Sequence, residues 1–159
     1  MKVTERASRE FLKLINESEF MLEELSYHAM EGDWEHGDCY VLAGAVHKWL
    51  GPRSRMMAVM GANGRIFHVV VEMDGLIVDG GGIRTPEAVR SQWSSSSSRV
   101  GGLAKEWIVP LFRVRRRLDE DIGPGKSRRS FDEARGVIET IAWVLEEELP
   151  LGNFRPRLR

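Results

Sequence analysis

Three residues of this sequence carry side chains suited to nucleophilic chemistry and stand where local structure can arm them: Cys39, His68 and Asp79. Cys39 opens an apolar segment that reads as a helix, so its thiol meets the positive end of the helix dipole and the unpaired backbone N–H groups of the first turn. That setting favours a thiolate and supplies donors for an oxyanion. His68 falls inside a strand-like run and Asp79 at the end of the next one. A rigid strand can hold an imidazole against sulfur as general base, and a carboxylate on the neighbouring strand can fix its tautomer. Each residue alone has a plainer reading: a cysteine on an apolar helix is commonly a small buried hydrophobe, and a lone strand histidine is commonly structural. Their order, and the elements on which they fall, point to a Cys-His-Asp triad.

The elements that must bring them together are legible in the periodicity. Over residues 4–29, Phe11, Ile15, Leu22, Leu25 and Ala29 recur at helical spacing among acidic residues, which predicts one amphipathic helix or two joined near Asn16-Glu17-Ser18. Residues 31–38 are rich in turn formers and read as a loop. A second helix starts at Cys39, buries Val41, Leu42, Ala45, Val46 and Trp49, and stops at Gly51-Pro52. The pattern then changes to β-type runs at 55–60, 66–72 and 76–78, separated by Asn63-Gly64 and Asp74-Gly75. Such dipeptides between apolar runs are strong hairpin signals, so an antiparallel meander is expected, with the His68 and Asp79 strands adjacent. Gly80-Gly81-Gly82 is expected to break the sheet, Thr85-Pro86-Glu87 to open a short helix, and residues 94–98 to form a low-complexity serine loop. A strand over 107–114 suits a sheet edge because it contains Pro110.

From Arg113 the composition turns basic, with seven basic and three acidic residues up to Arg129. The run Ser130-Phe131-Asp132-Glu133 is a capping box. It opens a last helix whose stripe is Ala134, Val137, Ile138, Ile141, Val144, Leu145 and Leu149, ended by Pro150. The expected organisation is therefore a core over 1–118 with its N-terminal helix, a charged linker over 119–129, a C-terminal helix over 130–149 docked on that core, and a basic tail over 150–159.

Three segments resemble a known family. Gly37-Asp38-Cys39-Tyr40 leading into a helix, the strand Phe67-His68-Val69-Val70-Val71, and Leu76-Ile77-Val78-Asp79-Gly80 are similar to the Cys, His and Asp blocks of the papain-like cysteine hydrolase superfamily, in its transglutaminase-like branch. The resemblance implies an α+β fold: a papain-like or transglutaminase-like core of helices packed on an antiparallel β-sheet, here with a C-terminal helix. It also implies acyl transfer from amides, by proteolysis, deamidation or transamidation, with Cys39 acylated, His68 as base and Asp79 as its orienter. No cofactor is expected, and the substrate would be a protein or peptide amide. Trp34, His36 and Tyr40 flank the thiol and are the candidates for substrate contact.

Composition narrows the alternatives. A chain of 159 residues with 42% hydrophobic and 30% charged residues has the balance of one globular domain. A net charge of -1 excludes a globally basic nucleic-acid binder, and the single cysteine leaves no intramolecular disulfide. The apolar stretch 56–62 is too short to span a bilayer, and Lys2, Glu5, Arg6 and Arg9 stand where a signal peptide would be apolar. A soluble, cytoplasmic protein is expected. His28, His36, Cys39 and His68 could be assembled into a zinc site only on paper, since no paired ligand motif links them, and no metal is expected. Gly80-Gly81-Gly82 lacks the Lys-Ser/Thr of a phosphate loop. The first 38 residues hold four basic and ten acidic side chains, which can pair with the basic cluster running from Arg113 to Arg129. Two other functions compete with the enzyme: a catalytically silent protein-interaction module on the same core, and a nucleic-acid-contacting accessory protein using that cluster, although Asp119, Glu120 and Asp121 blunt its charge.

Overall fold

The structure is a computed structural model, described here over residues 3–19, 21, 34, 39–96, 102–118, 121 and 131–149. Its fold is α+β. Five antiparallel strands form one sheet: β1 (Arg55–Gly61), β2 (Ile66–Met73), β3 (Leu76–Asp79), β4 (Gly82–Arg84) and β5 (Leu103–Pro110), in the order β4-β3-β2-β1-β5. Among the described residues five α-helices accompany it: α1 (Val3–Glu17), α2 (Cys39–Leu50), α3 (Pro86–Ser96), α4 (Leu111–Val114) and α5 (Phe131–Glu148).

The hairpin signals act as expected. Asp74 and Gly75 both take positive φ, 53° and 79°, as a two-residue turn matched to strand twist demands. At the first hairpin Gly64 has φ 76° and donates its N–H to the Gly61 carbonyl. Alternation along the strands then sorts side chains into two cores. Ala58, Val69, Val71 and Val78 join α1, α2 and α5 in one cluster, while Met57, Val59, Val70 and Ile77 meet Val89 and Trp93 of α3 in the other.

The helical core is built around α2, which buries Cys39, Val41, Leu42, Ala43, Ala45, Val46 and Trp49. α5 runs against it where Gly44 gives room: a Cβ on Gly44 would lie 2.7 Å from Ile138 Cδ1. Trp49 donates its indole N–H to the Leu149 carbonyl at 3.2 Å and stacks on Phe11 of α1, with ring centroids 6.3 Å apart. The C-terminal helix is thus docked through Ile141 and Leu145, both fully buried. α1 also reaches the sheet edge, where Ser8 Oγ accepts the Ile83 N–H at 2.9 Å.

Several expectations change. The glycine triplet turns the sheet without ending it, because Asp79 Oδ1 accepts the Gly81 N–H and the chain returns as β4, with Asp79 opposite Gly82. Residues 94–96 continue α3, which Val89 and Trp93 anchor in the core, so the expected serine loop is helical there. The last strand occupies the expected edge but ends at Pro110, which lacks the N–H to continue a ladder. Leu111 turns inward to start α4, and Arg115–Arg117 follows as a 3-10 turn. The N-terminal helix α1 ends at Glu17; residues 22–33, the capping-box residue Ser130 and the tail 150–159 lie outside the described residues. Within the stretch read as linker, Asp121 is buried and accepts the Ile66 N–H at 2.8 Å, so that point belongs to the core.

Candidate active site

β2 delivers His68 through an irregularity. Val59 of β1 pairs with His68 and the next residue, Met60, pairs with Ile66, so Phe67 is an extra residue on β2. A bulge of this kind re-aims neighbouring side chains. Both Phe67 and His68 contact Trp93 of α3, with ring centroids 5.4 Å and 4.5 Å from the indole. β3 ends at Asp79, and its antiparallel pairing with β2 sets the carboxylate beside the imidazole: Nε2 of His68 lies 2.9 Å from Asp79 Oδ2. Cys39 is the first residue of α2, whose opening N–H groups have no partner within the helix.

The three residues are closed off, with exposures of 2% for Cys39, 0% for His68 and 3% for Asp79. The Asp79 carboxyl is held below the usual carboxylate range: burial works against its charge, and His68 and Arg84 outweigh it. An ionised carboxylate only accepts, so Nε2 must carry a proton and, in the neutral ring, Nδ1 is the basic nitrogen. Nδ1 has no hydrogen-bond partner of normal geometry. The other group acting on the ring is the Cys39 thiol. Burial lowers the proton affinity of His68, but the hydrogen bond it donates to Asp79, the Cys39 thiol and the charges of both raise it, to about 9. One nitrogen is thus committed to Asp79, and the Cys39 thiol also acts on the ring. Cys39, His68 and Asp79 are brought into one buried group.

Sequence reasoning missed Arg84. Its Nη2 donates to Asp79 Oδ1 at 2.7 Å and to Oδ2 at 2.9 Å, and its Nη1 donates to Gln92 Oε1 of α3. The signal available was parity: β4 places Arg84 opposite Ile77, and Ile77 and Asp79 share a face of β3. The glycine triplet, read as a sheet break, obscured the strand that carries it.

The residues expected to touch substrate fare differently. Trp34 is buried and donates its indole N–H to the Ile15 carbonyl of α1 at 2.8 Å, so its side chain belongs to the helical core. Tyr40 is partly buried and packs against that core. His36 lies outside the described residues. Part of the basic run is internally paired: Arg113 meets Glu106 at 3.1 Å, and Arg117 meets Asp121 at 3.7 Å and the Gly64 carbonyl. No group of three or more metal-binding side chains occurs among the described residues, and no helix there is long and apolar enough to cross a membrane. No protein-family model, curated protein or solved structure matches this chain.

Proposed function

We propose that this chain is a thiol-dependent enzyme of acyl transfer or hydrolysis on amides, of the papain-like, transglutaminase-like kind, working on a protein or peptide in the cytoplasm. The observation that carries the reading is the buried His68 ring, bonded through Nε2 to Asp79 and acted on by Cys39 as well. In the reaction the Cys39 sulfur, as thiolate, forms a bond to the amide carbonyl carbon. The oxyanion that develops is stabilised by the positive end of the α2 dipole, at whose first residue Cys39 stands. As the C–N bond breaks, His68 gives its Nδ1 proton to the departing amine, leaving a thioester on Cys39. Water, or a second amine, then attacks the thioester with His68 as base, which returns the thiol and releases acid or new amide.

The test uses the native chain with iodoacetamide and an acyl-amide probe. Cys39 should be labelled faster than a free cysteine near neutral pH, because a paired imidazolium sustains thiolate. His68→Ala should slow that labelling, and Cys39→Ala should abolish probe turnover. The burial of Cys39 favours a second reading, in which the same core is a catalytically silent interaction module. A thiol that reacts only after denaturation, with no Cys39-dependent turnover, would overturn the enzyme reading in favour of that one.

A further inference from the structure

We propose that Arg84 is a positioning residue of this site: it shares the Asp79 carboxylate with His68, holding it in line with Nε2 while drawing off part of the negative charge that would otherwise fasten His68 as an imidazolium. The catalytic meaning of this role rests on the acyl-transfer reading; the role itself rests on geometry.

The seat of the guanidinium is built. Nη2 bridges both carboxylate oxygens of Asp79 at 2.7 Å and 2.9 Å, and Gln92 accepts from Nη1. The Gly81 N–H fixes the same carboxylate through Oδ1 at 3.0 Å. A Cβ on Gly81 would lie 2.5 Å from both Cζ and Nη2 of Arg84 and 2.9 Å from Nη1, so the guanidinium keeps this seat only beside a glycine. The Arg84 side chain is 19% exposed and Asp79 is 1%, so water screens the pair weakly. Among the described residues, the charged or titratable groups acting on His68 and Asp79 are these two themselves, Cys39 from α2 and Arg84 from β4. α3 contributes the uncharged Gln92 and Trp93, and α1 brings the Ser8 hydroxyl to the neighbouring Ile83 N–H.

Electrostatic potentials add, so the Arg84 cation beside the carboxylate sets its own positive potential against the negative one that Asp79 exerts on His68. In the proposed reaction His68 must release its proton to a departing amine, and an unopposed Asp79 would hold that proton too firmly. Arg84 therefore trims the strength of the Asp79–His68 pair and keeps the carboxylate oriented.

The experiment follows the titration of His68 by NMR in the full-length, histidine-labelled chain. Arg84→Gln should move the His68 midpoint upward by about one pH unit, in the range that a charge a few ångströms away produces. Gly81→Ala should move it in the same direction with every charged residue still present, because the new methyl displaces the guanidinium. Arg84→Lys, which keeps the charge, should stay near wild type. An arginine that merely supports the fold would lower the melting temperature and leave the midpoint where it was. An unmoved or lowered midpoint in Arg84→Gln, with the fold intact by its spectrum, overturns the proposal, and the Gly81→Ala midpoint decides in the same way if Arg84→Gln does not fold. Absence of Cys39-dependent turnover alongside an upward shift would refute the enzyme reading while leaving the Arg84 role standing.

Discussion

Stability should decline as the pH rises from neutrality toward 10, with His68 as the cause. The ring is fully buried, and its proton affinity is raised from 6.5 to about 9: burial opposes the charge, but Asp79 and Cys39 outweigh it. Below about pH 6.5 both the folded and the unfolded chain hold the proton, and the stabilising contribution is fully present. Between about 6.5 and about 9 the folded chain keeps a proton that the unfolded chain has lost, so stability falls by up to about 1.4 kcal/mol per pH unit. Above about 9 both are neutral and the contribution is gone. Across the window it amounts to about 3 kcal/mol, or roughly 6 to 12 °C in melting temperature for a chain of this length. Urea unfolding at pH values of about 6, 8 and 10 measures it directly. Lysines and tyrosines also titrate near the top of this range, so the informative quantity is the difference between wild type and His68→Gln. The variant should be less stable near pH 6 and should lose much less on the way to pH 10. Asp79→Asn should flatten the curve in the same way, because Asp79 provides the leading contribution that raises His68. Parallel curves for wild type and His68→Gln would refute this reasoning.

Gly44→Val should destabilise by about 1 to 3 kcal/mol in chemical unfolding, because its Cβ meets Ile138 Cδ1 at 2.7 Å, and adding Ile138→Ala should recover part of the loss. Gly82→Ala should cost about 1 to 3 kcal/mol, since φ is 109° and a Cβ would lie 2.5 Å from Ser8 Oγ; removing that hydroxyl with Ser8→Ala should restore little, because the backbone strain remains. Ending the chain at Lys126 removes α5, whose Ile141 and Leu145 are each worth about 1.5 to 3 kcal/mol in burial. The shortened chain should melt lower and be less soluble, and an unchanged melting curve would show α5 to be an independent appendage.

Local rules made most of the frame readable. A helix beginning at Cys39 and closed by Gly51, with φ 85° there, follows from apolar spacing and a glycine able to adopt the left-handed conformation. The two hairpins follow from Asn63-Gly64 and Asp74-Gly75, which also place β3 beside β2 and hence Asp79 near His68. What escaped the sequence depends on contacts between distant segments. The short strand β4 exists because β3 pairs with it and Ser8 of α1 seats against it, neither of which leaves a mark on three glycines. Residues 94–96 of the serine run continue α3 because Trp93 just before them is held against Phe67 and His68. The bulge at Phe67 came from no turn residue, and alternation alone gives no warning of it. Arg84 was hidden for the same reason as β4: the residue that orients Asp79 lies on a strand whose only local signature resembled a loop.

Asp79 is coordinatively full. A carboxylate offers about four lone-pair directions. On Oδ1 they receive the Gly81 N–H and Arg84 Nη2; on Oδ2 they receive His68 Nε2 and Arg84 Nη2 again. No direction is left for a fifth donor, so Asp79 has no capacity to take a proton from water, to grip a substrate or to enter the shell of an incoming cation. The site has a blind side. In the proposed reaction the substrate meets the sulfur of Cys39 and the Nδ1 edge of the ring, and the carboxylate acts on it only through the imidazole it holds.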